Sequence, residues 1–182
     1  MEILLIILAV IGLLVAIVLI AALFVKKNYT IEKEVTINRP LPDVFAYIKQ
    51  LKNQDNYNKW VMADPGMNKN YTGTDGNAGF IYAWDSKEKN VGAGEMEITQ
   101  VTEGKRINIE IRFERPFKGI SDCYMETVEV GNGKTNVKWG FKSSMKYPVN
   151  IFLAIFKLEE KLGSDLQSSL SNLKNVLETK AM

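Results

Sequence analysis

Histidine is absent from the 182 residues of this chain. Its absence excludes His-based catalytic triads, His-dependent zinc sites and the imidazole proton shuttle that works near neutral pH. No metal and no cofactor is expected, and any chemistry would fall to carboxylates, Tyr, Lys, Ser or Thr. Cysteine is nearly as scarce. Cys123 stands alone, which rules out an intramolecular disulfide and suits a reducing compartment. With no histidine to activate it, it is expected as a small buried strand residue rather than a nucleophile. Nor is charge of one sign in large excess. The 23 Lys and Arg face 21 Asp and Glu without a basic cluster, which argues against nucleic acid as a partner.

What the chain does have is one long hydrophobic run. From Ile3 to Val25 every residue is apolar or small, enough to cross a hydrocarbon core of about 30 Å as a helix. A cleaved signal peptide usually begins basic and ends at a small-x-small site. Here Glu2 precedes the run and Leu23, Phe24 and Val25 close it, so an uncleaved transmembrane anchor over residues 1–27 is expected. Lys26 and Lys27 follow the run and no Lys or Arg precedes it. The positive-inside rule then predicts a single-pass protein of the cell membrane, with residues 28–182 as a soluble domain in the cytoplasm. Gly12 and Ala16 have the small-xxx-small spacing of closely packed membrane helices, but read more simply as ordinary small residues of a lipid-facing helix.

After the run, "YTIEKEVTI" alternates Ile31, Lys33, Val35 and Ile37 against Glu32, Glu34 and Thr36, the period of a strand. "NRPLPDVFAYIKQL" changes period: Val44, Ile48 and Leu51 share a helical face with Phe45, and Pro40 and Pro42 mark the entry. "KNQDNYNKW" predicts a short second helix or turn that delivers Trp60. Between residues 67 and 143, the breaks "ADPG", "TDGN", "SKEKN", "TEGK" and "GNGK" delimit about six strands with the short connections of an antiparallel meander. From Tyr147 to Met182 an apolar stripe including Ile151, Ile155, Leu158, Leu162, Leu166, Leu170, Leu173 and Leu177 predicts one long helix. Pro148 fits its first turn, and Gly163 marks a kink or a point of close packing. The class is therefore α+β: an N-terminal transmembrane helix, then a curved antiparallel sheet of about seven strands, two short helices and one long C-terminal helix, with a cavity between sheet and helix.

"VGAGEMEI", residues 91–98, admits a phosphate loop, a carboxylate pair or a strand. Placing the hairpin centre at Glu103 and Gly104 pairs Ile98 with Ile109, Met96 with Ile111 and Gly94 with Phe113 on one face, and Glu95 with Arg112 on the other. That register gathers the large apolar residues on one side, the condition that fixes pairing in a half-buried sheet. Glu95 and Glu97 then belong to the solvated face, while Gly92 and Gly94 face inward near Trp84 and Tyr82 and leave room beside aromatic walls. The phosphate loop lacks its third glycine and following helix. "GNGKT", residues 131–135, lacks the first glycine of a nucleotide loop, because position 128 is Val, and is a β-turn at Asn132 and Gly133.

Phe80, Tyr82 and Trp84 share one strand face, Val137, Trp139 and Phe141 a second, and Ile107, Ile109, Ile111 and Phe113 a third. A packed core would use them, and so would a ligand pocket, since Tyr and Trp carry polar tips. The expected cavity residues are Trp60, Phe80, Tyr82, Trp84, Met96, Ile98, Ile109, Ile111, Phe113, Trp139, Phe141, Phe152 and Phe156. If Asn132 and Gly133 form a two-residue turn, Glu126 points into the cavity as a proton donor or ligand anchor. A one-residue shift would put Cys123, Met125 and Thr127 there instead.

"NYNKW", "DPGMNKNYTG", "AGFIYAWDS", "VGAGEMEI", "IEIRFERPF", "TNVKWGF" and "KLGSDLQSSLSNLK", in this order, resemble the SRPBCC superfamily, in particular its polyketide cyclase/dehydrase and lipid-transport branch with the START-like helix-grip fold. The resemblance covers roughly residues 29–180. It implies a deep hydrophobic cavity used by different members for lipids, sterols, hormones, quinones or polyketides, and it does not imply catalysis.

Three functions remain open from sequence. The first is a membrane-anchored binding or carrier domain for a hydrophobic small molecule or lipid, with "VNIFLAIF", residues 149–156, closing the cavity, touching lipid or packing in the core. The second is a polyketide cyclase/dehydratase-like enzyme, with Tyr71, Tyr82, Tyr124 or Glu126 transferring protons. The third is a protein-interaction module whose cavity is filled by side chains. Oligomeric state is not legible.

Overall fold

The computed structural model describes residues 1–179. The apolar run forms helix α1, Glu2–Phe24, in which Ala22 alone is buried. Among the described residues it is the one helix long and apolar enough to cross a membrane by length and composition, a test that a signal sequence also passes.

Strand β1, Asn28–Ile37, follows, and its inward residues Tyr29, Ile31 and Ile37 are buried as the alternation predicts. Helix α2, Leu41–Ile48, is entered through Pro40 and Pro42 and buries Val44, Phe45 and Ile48. A 3-10 turn, Leu51–Asn56, and a one-turn helix α3, Lys59–Met62, come next. Six strands complete the sheet: β2, Asn68–Thr72; β3, Ile81–Asp85; β4, Ala93–Thr102; β5, Arg106–Arg115; β6, Gly119–Glu129; and β7, Thr135–Ser144. The order across the sheet is β1-β7-β6-β5-β4-β3-β2 with every pair antiparallel. A meander whose first strand returns beside its last requires this order.

The β4–β5 pairing is the expected one from Gly94 with Phe113 to Ile98 with Ile109. Beyond it a bulge at Thr99 shifts the register by one, so that Val101 faces Ile107, and Gly104 takes φ +68° in a turn one residue longer than anticipated. The β6–β7 hairpin departs further. Gly131, Asn132 and Gly133 all have positive φ, so the turn contains three residues rather than two, closed by Val130 N–H donating to the Lys134 carbonyl at 3.0 Å. The extra residue moves the register by one: Cys123 faces Phe141, Met125 faces Trp139 and Thr127 faces Val137. Those three point inward, and Glu126 does not.

The C-terminal segment is two helices, not one. Helix α4, Ile151–Ile155, ends before Lys157, whose φ of +47° breaks the path, and helix α5 runs over Leu158–Thr179. The end of the anticipated helix, residues 180–182, lies outside the described residues. Pro148 sits in the turn before α4, its carbonyl accepting from the Ile151 N–H. Gly163 is a close-packing point: a Cβ there would lie 3.1 Å from Lys33 Cε and 3.5 Å from Ile31 Cγ2. Leu166, Leu170, Leu173 and Leu177 bury their side chains in the core, each contributing about 2 kcal/mol by removal of apolar surface from water. α5 is thereby held along β1, leaving a gap over the middle of the sheet.

Candidate functional site

That gap is a cavity of about 230 Å³ between the sheet, α3 and α5. All three tryptophans of the chain, Trp60, Trp84 and Trp139, line it. Ile109, Ile111 and Phe113 of β5, with Met96 and Phe141, supply the rest of the expected wall. Trp84 is fixed by Nε1–H donating to the Val91 carbonyl at 3.2 Å and by an edge contact with Phe113, ring centres 6.1 Å apart.

The wall on the α3 side is built by short polar contacts. The Trp60 N–H donates to Asn58 Oδ1 at 3.0 Å, and Asn58 Nδ2 donates to Gln54 Oε1 at 2.7 Å. The Lys59 N–H donates to Ser169 Oγ at 3.0 Å, and Lys59 pairs with Asp165 at 2.5 Å, tying α3 to α5. At the other end, exposed Asn90, Arg115 and Pro116 border the cavity. Arg115 is already engaged there, with Asp85 and with the Ser86 carbonyl.

Five expected cavity residues lie elsewhere. Phe80, Tyr82 and Ile98 are fully buried in the core outside the cavity wall. Phe152 and Phe156 are exposed on and just after α4, their rings 5.4 Å apart. The break at Lys157 separates this segment from α5, and Leu153 is the α4 side chain that packs inward. Gly94 does face Trp84, but the indole occupies the space, since a Cβ on Gly94 would lie 2.8 Å from Trp84 Cη2. Gly92, with φ +67°, faces the Arg115 carbonyl rather than the cavity.

The four candidate proton-transfer groups are likewise outside the cavity wall. Glu126 pairs with Arg106 on the outer face of the sheet, the consequence of the three-residue turn. Tyr124 lies on the same face, crossing Gly140 to donate to Glu32, with the Arg106 guanidinium 3.8 Å from its ring centre. Burial, aided by Glu32, pushes its hydroxyl up to about 12. Tyr82 donates to Asp55 Oδ1 at 2.9 Å and is held protonated far above the ordinary range by burial and that carboxylate. Tyr71 is exposed on β2 with Lys52 Nζ 4.6 Å from its ring centre. Glu95 and Glu97 share Arg112 with Glu110, at 2.6, 2.7 and 2.5 Å. They form a solvent-side ion cluster, as the alternation predicts.

The polar residues of the buried wall that the sequence did not mark are Gln54 and Asn58, one helical turn apart in a stretch so polar that it resembles a surface turn, and apolar Val61, Met67, Val91, Leu162 and Leu166 join the lining as well. Cys123 lines the cavity in the shifted β6–β7 register, the second of the two that the sequence allows. Burial pushes its thiol up to about 12. The folded state thus holds this proton more tightly than an unfolded chain, whose thiol titrates near 9. Its contribution to stability is complete below pH 9 and declines as the pH rises from 9 towards 12, at about 1.4 kcal/mol per pH unit in the limit. Urea unfolding at pH 8 and pH 10.5 is expected to show a smaller loss between the two for Cys123→Ala than for the wild type.

Comparison with known proteins places this geometry. No curated protein matches the sequence. Among solved structures, norcoclaurine synthase from Thalictrum flavum superposes with a TM-score of 0.64 at 12% identity, covering 88% of this chain and 92% of that one. Ara h 8.0201 gives 0.58 at 12% identity over 84% and 99%. The di-domain ARO/CYC BexL from the BE-7585A biosynthetic pathway gives 0.60 at 13% identity over 84% of this chain and 51% of that one. At such identities the likeness is one of fold. A family model described as polyketide cyclase / dehydrase and lipid transport matches residues 29–178, from β1 to the last turn of α5, and the chain accordingly belongs to that family of the SRPBCC superfamily.

Proposed function

We propose that this protein is a membrane-anchored binding or carrier domain that takes a hydrophobic small molecule or lipid into the cavity between sheet and α5. The observation that carries it is the composition of the wall: three tryptophans and a majority of aliphatic and aromatic side chains, with no carboxylate, lysine or tyrosine among the described lining residues. Such a wall favours an apolar guest by desolvation and offers little for proton transfer. Norcoclaurine synthase, of the same fold, has been solved with dopamine and hydroxybenzaldehyde, and small aromatic molecules are one class of guest this cavity would suit. The cyclase-like alternative is disfavoured because Tyr71, Tyr82, Tyr124 and Glu126 lie away from the cavity. A filled interaction module is disfavoured by the open volume.

The anchor is residues 1–27 and the binding domain residues 28–182. Lys26 and Lys27 favour a cytoplasmic domain. α1 is joined to the domain by Asn150, whose Nδ2 donates to the carbonyls of Ala22 and Val25 at 2.8 Å each. Exposed Phe152, Ile155 and Phe156 belong to the same segment, so a bilayer around α1 would meet apolar side chains there.

Native mass spectrometry of the full chain, released from polymer-bounded particles of its own membrane, tests the proposal. One tightly held apolar molecule per chain, distinct from the bulk lipid, is the expected result. An empty cavity that no hydrophobic quencher of tryptophan fluorescence enters would overturn it. A reporter fused to the C-terminus decides which side of the membrane the domain occupies.

A further inference from the structure

Two buried donors on residues that line the cavity make no hydrogen bond of normal geometry. Gln54 Nε2 has no acceptor among the described residues, and Trp139 Nε1 has only the weakly accepting Cys123 sulfur beside it; Gln54 is 1% and Trp139 4% exposed. The orientation of the Gln54 amide is set by its neighbours. A backbone N–H, that of Trp60, can only donate, so it fixes Asn58 Oδ1 as acceptor. Asn58 Nδ2 then donates to Gln54 Oε1, and the Gln54 NH2 is left over. Turning the amide round would set two NH2 groups against each other. The Trp139 indole admits no choice, since its nitrogen is a donor only. A buried donor without an acceptor is costly to a fold, and two of them in one apolar cavity mark a place where an acceptor belongs.

We infer that the guest of this cavity is a neutral, mainly apolar molecule carrying a carbonyl or comparable acceptor oxygen, which it presents to Gln54 Nε2, to Trp139 Nε1 or to both. This rests on the binding proposal above and narrows it. Neutrality follows from the surroundings. The buried end formed by Gln54, Asn58, Cys123 and Trp139 contains no cation, and Arg115 is exposed at the opposite border and paired with Asp85. An anion brought to the buried end would lose its hydration without a counter-charge. The oxygen therefore enters first, and the apolar body lies between Ile109, Ile111 and Trp84.

A pair of probes with one skeleton separates the oxygen from the hydrocarbon: fluorenone, with a single carbonyl, and fluorene, without it. The full chain in lipid nanodiscs is titrated with each, binding is followed by the quenching of tryptophan fluorescence, and wild type is compared with Gln54→Met and Trp139→Phe. Partition of the probes into lipid is common to all three proteins and cancels in the ratio of variant to wild-type affinity. At least one variant is expected to bind fluorenone roughly three- to tenfold more weakly, the worth of one hydrogen bond, with fluorene changed less than twofold. If fluorene binds and neither variant alters the preference for fluorenone, the inferred acceptor is wrong while the binding proposal stands. If neither probe enters the wild-type cavity, both fall. Thermal unfolding of each variant accompanies the titration. Should Gln54→Met lose its fold through Asn58, Asn58→Asp takes its place: the carboxylate still accepts from the Trp60 N–H and now accepts from the Gln54 NH2, which removes the spare donor, and an unchanged preference for fluorenone in both Asn58→Asp and Trp139→Phe, with fluorene bound, overturns the inference.

Discussion

Gly94→Ala is expected to destabilise the domain by about 3 kcal/mol, the upper end of overpacking costs. It is also expected to shift tryptophan emission. The added Cβ would stand 2.4 Å from the Arg112 carbonyl oxygen and 2.8 Å from Trp84 Cη2. The first is backbone of the neighbouring strand and cannot retreat without opening the β4–β5 ladder. The second belongs to an indole pinned by Val91 and Phe113, so it must give up its hydrogen bond or enter the cavity. Gly119→Ala is the control, because a Cβ there meets nothing within 4 Å, and a change within about 0.5 kcal/mol is expected. Urea unfolding followed by fluorescence reads both effects, and equal stability of the two variants would show that β4 tolerates a side chain at this point.

Leu170→Ala is expected to cost about 3–4 kcal/mol, within the range for fully buried leucines. Leu170 is completely buried and helps hold α5 on the sheet, so its truncation leaves a void where little can collapse. Against a total stability of about 5–15 kcal/mol for an ordinary domain, this is a large fraction. Leu162, only half-buried and bordering the cavity, gives the contrast. Leu162→Ala enlarges a space already present and is expected to cost about 1–2 kcal/mol less. Chemical unfolding of both variants under one condition checks the order, and a larger loss for Leu162→Ala would mean that α5 is held chiefly from the cavity side.

The parts of this molecule legible in its sequence are those governed by period. The alternation in β1, the pairing of Ile98 with Ile109 and the leucine stripe of α5 each follow from which residues must share a buried face. Where a single residue sets the count, period alone does not decide. Gly131 adopts positive φ and lengthens the β6–β7 turn by one, which selects between the two registers the sequence leaves open, sending Glu126 outward and bringing Cys123 in. Lys157 takes a left-handed conformation that few lysines adopt, so the anticipated single helix breaks where no glycine or proline marks it, and Phe152 and Phe156 part from the cavity. Gln54 and Asn58 were hidden for another reason. Their burial depends on α5, more than a hundred residues distant, closing over a short polar segment, and no local pattern records it.

The Asn150 clamp governs orientation as well as proximity. Only Val25, Lys26 and Lys27 lie between the end of α1 and the start of β1, and a single short linker of that kind leaves a domain free to swivel about the helix axis. Asn150, reached through the whole sheet, grips the terminal turn of the same helix from the other end of the domain's chain, and Lys26 is held by Glu159 at 2.8 Å. Attachment at two points of the sequence turns a swivel into a bracket. The border of the cavity near Arg115 and Pro116 is thereby given a set azimuth relative to α1, and on the proposed binding function a guest would approach along a direction that the helix helps to set.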